Sequence, residues 1–150
     1  MPFIRLKSEY FTKADNNRRL LVEKAQDRLH LLRAEEFKIL GPYLLHGMPL
    51  AALSRLLNME RRRLARRLEQ LLRGLVDDRY ISLRRYDEVI APRSLEIGYE
   101  RFIRGDSYQA IARRHHLSGW QVRRICEKLE AFIDAKSHGK NKTAKWQVKK

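Results

Sequence analysis

The chain has 150 residues, which is enough for one compact domain or two small ones. Hydrophobic residues make up 43% of the sequence, so a core can form and disorder of the whole chain is excluded. The 33 Lys and Arg residues against 18 Asp and Glu residues give a net charge of +15, which favours an anionic partner.

The first half of the chain is predicted to contain four helices. Apolar residues recur at three- and four-residue steps, and Asp15 can cap the first helix. Gly41-Pro42 must kink or restart the second helix. Gly47 opens the next turn, and Asn58 can end the third helix because asparagine tolerates a left-handed backbone. The predicted helices are residues 15–34, 35–46, 50–58 and 59–75, of which the last is strongly amphipathic.

After these helices, apolar residues no longer recur at the three- and four-residue steps of a helix. Residues 80–83 and 88–91 are β-prone, and Arg84 and Arg85 begin a candidate turn between them. A small β-hairpin is therefore predicted, and Pro92 ends it.

Helical spacing resumes in the last third of the chain. Ser107 and Ser118 can each cap a helix by accepting a hydrogen bond from its first turn. Residues 136–150 carry six lysines, no acidic residue and too few apolar residues for a core, so we expect disorder there. The predicted helices are residues 95–103, 108–115 and 118–135.

Residues 108–125 match a helix-turn-helix, in which two helices approach closely across a turn of about 3–4 residues. Ala112 is the small residue at the helix contact, and apolar residues stand where they can lock the pair. His116 occupies the turn position where the motif usually has glycine, and histidine tolerates a left-handed backbone at some cost. The apolar positions are Ile111, Leu117, Val122 and Ile125.

Residues 50–72 match the same pattern, with Ser54 as the small residue and Asn58 in the turn. The second helix of this pair carries five arginines within seven residues. The alternative is a solvated helix face paired with glutamates, but Glu60 and Glu69 are too few, so nucleic-acid contact is favoured. The apolar frame is Leu53, Leu57, Met59, Leu64 and Leu68, and the arginines are Arg61, Arg62, Arg63, Arg66 and Arg67.

The order of three helices and a hairpin makes residues 35–92 resemble a winged-helix domain, and residues 74–83 resemble the lead into the wing of many bacterial winged-helix regulators. This resemblance implies a wing whose tip, Arg84-Arg85, touches phosphate or the minor groove.

The second pair resembles the helix-turn-helix of plasmid and fimbrial-operon regulators of the KorA and PapB type. The resemblance lies in Gly105-x-Ser-Tyr-Gln-Ala-Ile-Ala112 and in Leu117-Ser-Gly-Trp-Gln-Val122. Similar patterns occur in sigma-factor region four and in site-specific recombinases and transposases. The resemblance therefore implies a DNA-binding module rather than one family.

Together these patterns predict a mainly α fold, with a winged-helix unit that includes a small β-hairpin, followed by a trihelical helix-turn-helix unit. The N-terminal helix is expected to pack on the first unit or to dimerise. The predicted division is 1–34 for the N-terminal helix, 35–92 for the winged-helix-like unit, 93–135 for the trihelical unit and 136–150 for a basic disordered tail.

The second helix of a helix-turn-helix lies in the major groove, so we predict a sequence-specific double-stranded DNA-binding transcription regulator of bacterial, phage or plasmid origin. Gln121 can read adenine, and Arg123 or Arg124 can read guanine or hold phosphate. Trp120 either packs against the preceding helix or joins the DNA-binding surface. The candidate DNA-binding residues are Arg61, Arg62, Arg63, Arg66, Arg67, Arg84, Arg85, Ser107, Ser118, Gly119, Trp120, Gln121, Arg123, Arg124 and Lys128.

Three alternatives stay open. The chain can be an accessory or architectural DNA-binding protein of plasmid partition, replication or transfer, an RNA-binding protein, or an interaction adaptor that uses its N-terminal helix. RNA polymerase, another regulator and a second copy of the chain are further candidate partners. Catalysis, a cofactor and a metal are not expected, because His115 and His116 diverge by about 100° on a helix and Asp77-Asp78 is better explained as a turn.

We expect a cytoplasmic, nucleoid-associated protein without a membrane partner. The sequence has no run of about 18 apolar residues, no secretion signal at its start and no free-standing basic amphipathic helix. Its single cysteine, Cys126, excludes an internal disulfide and a multi-cysteine zinc site. With Ile125 and Leu129 beside it, Cys126 is predicted to be a small core residue rather than a nucleophile.

Overall fold

The computed structural model of the chain is mainly helical. It describes the backbone of residues 14–148 and the side chains of residues 19–138. The chain divides into two compact units, Met1–Asp77 and Asp78–Lys150. The α-helices are α1 (Ala14–Asp27), α2 (Ala34–His46), α3 (Leu50–Leu57), α4 (Arg61–Val76), α5 (Arg79–Arg84), α6 (Pro92–Gly98), α7 (Tyr108–His115) and α8 (Gly119–Val148), with a 3₁₀-helix at Leu29–Leu31 and a π-helix at Tyr99–Ile103.

The first unit is built around the apolar stripe of helix α4. Four leucines of this helix recur at steps of four, three and four residues, which places them on one helical face, and all four are buried. Helices α1, α2 and α3 each pack against α4. The Arg28 guanidinium fixes the end of α4 by donating hydrogen bonds to the carbonyl oxygens of Leu75 and Asp77, at 2.9 and 3.2 Å. The four buried leucines are Leu64, Leu68, Leu71 and Leu75.

Helix α2 is continuous across Gly41-Pro42, where the sequence predicted a kink or a restart. The ring of Phe37 covers Gly41, and a Cβ atom at that position would lie 2.9 Å from the ring. Gly41 therefore lets the Phe37 ring lie close against the helix backbone, and it does not break the helix.

The second unit surrounds the first half of helix α8. Helices α5, α6 and α7 each pack against α8, and α6 runs directly into the π-helix. The predicted apolar frame of this unit is confirmed, because Ile111, Ala112 and Val122 are buried in one cluster and Leu117 and Ile125 pack against it. The remaining buried members of the cluster are Ile97 and Cys126.

The predicted β-hairpin is wrong, and with it the winged-helix assignment of residues 35–92. Within residues 14–148 the structure contains no strand. Residues 80–83 lie in helix α5, and residues 85–89 form turns. A helix places Tyr80 and Leu83 on one face, where both are buried, and the Tyr80 ring contacts the Tyr99 ring edge-on at 5.3 Å. Burial of this helical face overrides the β-propensity of the segment.

The end of the chain also differs from the prediction. Helix α8 does not end near Ala135 but continues to Val148, through most of the segment 136–150 that was expected to be disordered. This segment has no proline, and its lysine, alanine and glutamine residues are good helix formers. A low apolar content excludes a core, but it does not exclude the continuation of a helix that begins in one.

Candidate nucleic-acid interface

Each unit contains two helices joined by a turn of the same length and geometry. Helices α3 and α7 both have eight residues, and each ends at a residue in the left-handed region. These residues are Asn58, with φ 51° and ψ 49°, and His116, with φ 54° and ψ 43°. The next helix begins three residues later in both units, at Arg61 and at Gly119. Asparagine and histidine are among the few residues besides glycine that tolerate this backbone.

The equivalence extends to the segment before each pair. The positive-φ residues of the described chain are Gly47, Asn58, Gly105 and His116, which form two pairs separated by the same 58 positions. At this offset Ser54 of α3 corresponds to Ala112 of α7, so both helix contacts have a small residue. The buried leucines Leu53, Leu64 and Leu68 correspond to Ile111, Val122 and Cys126, which are also buried. The two units are therefore a structural repeat.

The start of helix α4 presents a surface of uncompensated positive charge, which we call the α4 arginine face and define as Arg61, Arg62, Arg63 and Arg66. All four side chains are exposed, and within the described part of the chain none makes an ion pair. The first turn of α4 has no acidic residue. The N-terminal end of a helix carries partial positive charge, which disfavours arginines there. The N-cap residue Glu60 is acidic and exposed, and it makes no ion pair within the described residues.

The glutamates near this face do not neutralise it. Glu69 forms an ion pair with Arg73 at 2.6 Å, in the direction of the C-terminal end of the helix. Arg67, the fifth predicted arginine, is half-buried and makes contacts within the chain. The four arginines of the face therefore have no glutamate partner within the described residues.

Helix α8 begins with a reciprocal cap. The Ser118 hydroxyl accepts a hydrogen bond from the Gln121 backbone N–H at 3.1 Å, and the Gln121 side-chain oxygen accepts one from the Ser118 N–H at 2.9 Å. The Gln121 side chain, predicted as an adenine reader, is thus used to fix the helix start. Ser107 caps α7 in the predicted way, by accepting a hydrogen bond from the Ala110 N–H at 3.1 Å.

The remaining predicted residues of helix α8 differ in their surroundings. Trp120 is 69% exposed, so it belongs to the surface rather than to the contact with α7. The Arg124 guanidinium carbon lies 5.6 Å from the centroid of the Trp120 ring. Arg123 forms an ion pair with Glu127 at 3.1 Å. Gly119 lies near α7, and Lys128 is exposed.

Arg84 and Arg85 do not lie on a wing. Arg84 ends helix α5 and is 4.0 Å from Asp87, and Arg85 is exposed in the turn that follows. Within unit 2 the predicted residues 118–124 lie together at the start of α8, and Lys128 lies further along the same helix. Arg84 and Arg85 lie on a different element.

A charge cluster around the buried Glu100, which the sequence did not predict, joins the π-helix to α7. Glu100 of the π-helix is 4% exposed. Its carboxylate is 3.0 Å from the Arg114 Nε and 2.6 Å from the His115 Nε2. Arg114 also contacts Asp106 at 2.5 Å. Arg114 and His115 are 14 and 15 positions from Glu100 in the sequence. The local sequence around Glu100 does not indicate partners at that distance.

Cys126 is buried, as predicted for a core residue. Burial raises the pKa of the Cys126 thiol from 9.0 to about 11, because removal from water disfavours the thiolate. Cys126 therefore stays protonated at neutral pH, and a protonated thiol is a poor nucleophile.

Within the part that the structure describes, no three His, Cys, Asp or Glu side chains are grouped as metal ligands would be. None of the described helices is both long enough and apolar enough to cross a membrane. Comparison of the chain with protein-family models, with curated proteins and with solved structures finds no match.

Proposed function

We propose that the chain is a sequence-specific double-stranded DNA-binding protein with two helix-turn-helix units in tandem. In this proposal α4 and α8 are the second helices of their units and lie in the major groove, while α3 and α7 brace them across the backbone. The proposal rests mainly on the α4 arginine face, whose side chains make no ion pair within the described residues. This face lies on the second helix of a helix-turn-helix geometry, and the same geometry recurs in α7 and α8.

The charge distribution supports DNA as the anion. A major groove about 12 Å wide admits an α-helix, and phosphates line both of its edges. Exposed arginines at the start of such a helix can release counterions from these phosphates, which supplies sequence-independent affinity. The α4 arginine face fits this role, since its four side chains carry no neutralising partner within the described chain.

The two units contribute differently in this proposal. The start of α4 presents arginines, whereas the start of α8 presents an aromatic ring, a capped helix end and a smaller number of cations. We assign phosphate affinity mainly to α4 and base recognition mainly to α8. The role of the bound protein is transcription regulation in a bacterium, phage or plasmid.

Selection of bound duplexes from a random DNA library by the full chain tests this function. We expect one enriched sequence, and a footprint on it that is longer than a single module covers. Enrichment of no sequence would contradict specific binding, and a footprint of one module would contradict the tandem arrangement. A reporter placed behind the enriched sequence should change its expression with the protein, and unchanged expression would leave an accessory DNA-binding role.

A further inference from the structure

Trp120 and Arg124 occupy the centre of the outward face of helix α8. Val122 and Leu129 are buried on the opposite side of the helix. At 100° per residue, positions 120 and 124 lie about 140–180° from these two buried residues. Both side chains are exposed, so they are the groups that a partner on this face would meet first.

The other predicted readers on this helix already have partners. Gln121 is used in the reciprocal cap with Ser118. Arg123 is paired with Glu127 on the helix surface, and this ion pair partly offsets the charge of Arg123. Arg124 makes no ion pair within the described residues, and its contact is with an aromatic face.

The contact with Trp120 helps to orient the planar guanidinium of Arg124 for binding to the edge of a base. A guanidinium within about 6 Å of an indole centroid is attracted to the ring face. This contact leaves the guanidinium N–H groups available to a ligand, and it favours rotamers that keep Arg124 beside the ring. Arginine donates two parallel hydrogen bonds to the N7 and O6 atoms of guanine, which is the commonest specific contact in the major groove.

The equivalent positions of the first unit show that this arrangement is not a general property of the repeat. At the 58-position offset Trp120 corresponds to Arg62, and Arg124 corresponds to Arg66. Both equivalents are exposed arginines without a ring contact within the described chain. At these two matched positions, the described residues provide an aromatic contact in α8 but not in α4.

We infer that Trp120 and Arg124 form a guanine reader, in which Arg124 contacts the base and Trp120 is a positioning residue. This inference rests on the proposed function. It assigns to the α8 half of the target a G·C pair at a fixed position, and it excludes Gln121 and Arg123 as the principal readers.

The test compares the full chain and its variants on the enriched duplex and on duplexes in which each G·C pair is replaced in turn. For the unmodified chain, replacement of the contacted pair should weaken binding by roughly tenfold or more. Arg124→Ala should bind the original and replaced duplexes equally. Trp120→Ala should lose most of the preference, and Trp120→Phe should retain it because a ring face remains. Circular dichroism should show unchanged helicity, since both side chains are exposed.

Arg66→Ala is the matched control at the equivalent position of α4. It should weaken binding to all duplexes by a similar factor and leave the guanine preference intact. A preserved preference in Arg124→Ala or in Trp120→Ala would overturn the inference, as would an unmodified chain that binds duplex DNA without preferring any G·C pair. Absence of duplex binding by the unmodified chain would instead contradict the proposed function itself.

Discussion

Glu100 is a buried acidic residue of the second unit, at 4% exposure, and its carboxylate needs partners there. A buried carboxylate is costly unless it is paired and hydrogen-bonded, and Glu100 satisfies this requirement with Arg114 and His115 at 3.0 and 2.6 Å. Both partners lie in the last turn of α7. The position of α7, and with it the turn at His116 that leads into α8, therefore depends on this charge.

Substitution Glu100→Gln should lower the free energy of unfolding by about 1–3 kcal/mol, because it keeps the shape but removes the charge that pairs with Arg114. Urea denaturation followed by circular dichroism measures the change. Glu88→Gln is the control, since Glu88 is exposed and makes no ion pair within the described residues, and it should change stability by less than about 0.5 kcal/mol. Equal effects of the two substitutions would contradict the role of Glu100.

At the residue scale, the sequence predicts the buried positions that follow from the spacing of apolar residues within a helix. Ile111, Ala112 and Val122 follow from the spacing of a helix pair, and the structure buries them together. The Glu100 cluster could not be predicted in this way, because its partners come from separate elements and their approach depends on the packed unit. The same holds for Gln121, whose use in a cap depends on the rotamer that the helix start selects.

At the element scale helix α4 divides into a buried stripe and a charged face. Its leucines bury one side over the whole length of the helix, which fixes the orientation of the arginines on the other side. Arg62 and Arg66 are one turn apart and exposed, so they project from the same part of the helix. This face is the source of the phosphate affinity that we propose.

The double substitution Arg62→Ala/Arg66→Ala should reduce the slope of log affinity against log salt concentration by about 2, since each phosphate contact contributes about 1. Fluorescence anisotropy of labelled duplex DNA at several salt concentrations measures the slope. Lys38→Ala is the control, since it removes one exposed charge of α2 that makes no ion pair within the described residues, and its slope should change by much less than about 1. Equal changes per removed charge in the two variants would show that only net charge matters.

Helix α5 shows why an element can be predicted wrongly. The residues around Tyr80 have high β-propensity, and a following turn completed the pattern of a hairpin. The competing helical arrangement buries Tyr80 and Leu83 against other elements of the unit, a gain that a local pattern does not contain. Helix α4, by contrast, can be predicted from the sequence, because the spacing of its own leucines shows which face is buried.

At the scale of the whole molecule the chain is a tandem of two related units with a large positive charge. The sequence predicts the two helix pairs and the net charge of +15. The sequence also shows that the two helix pairs share one pattern, and the structure adds that the positive-φ residues of the described chain repeat at an offset of 58 positions. Under the proposed function, two second helices with different exposed side chains would bind a target whose two halves differ in sequence.

Titration of the full chain against a random duplex DNA and a structured RNA of equal length, between about 50 and 200 mM salt, tests the central claim most directly. We predict tighter binding to the duplex at every salt concentration. With six to ten phosphate contacts, the affinity for DNA should fall by about 10³–10⁵ over this range. Preference for the RNA, or an affinity for DNA that does not depend on salt, would contradict the account.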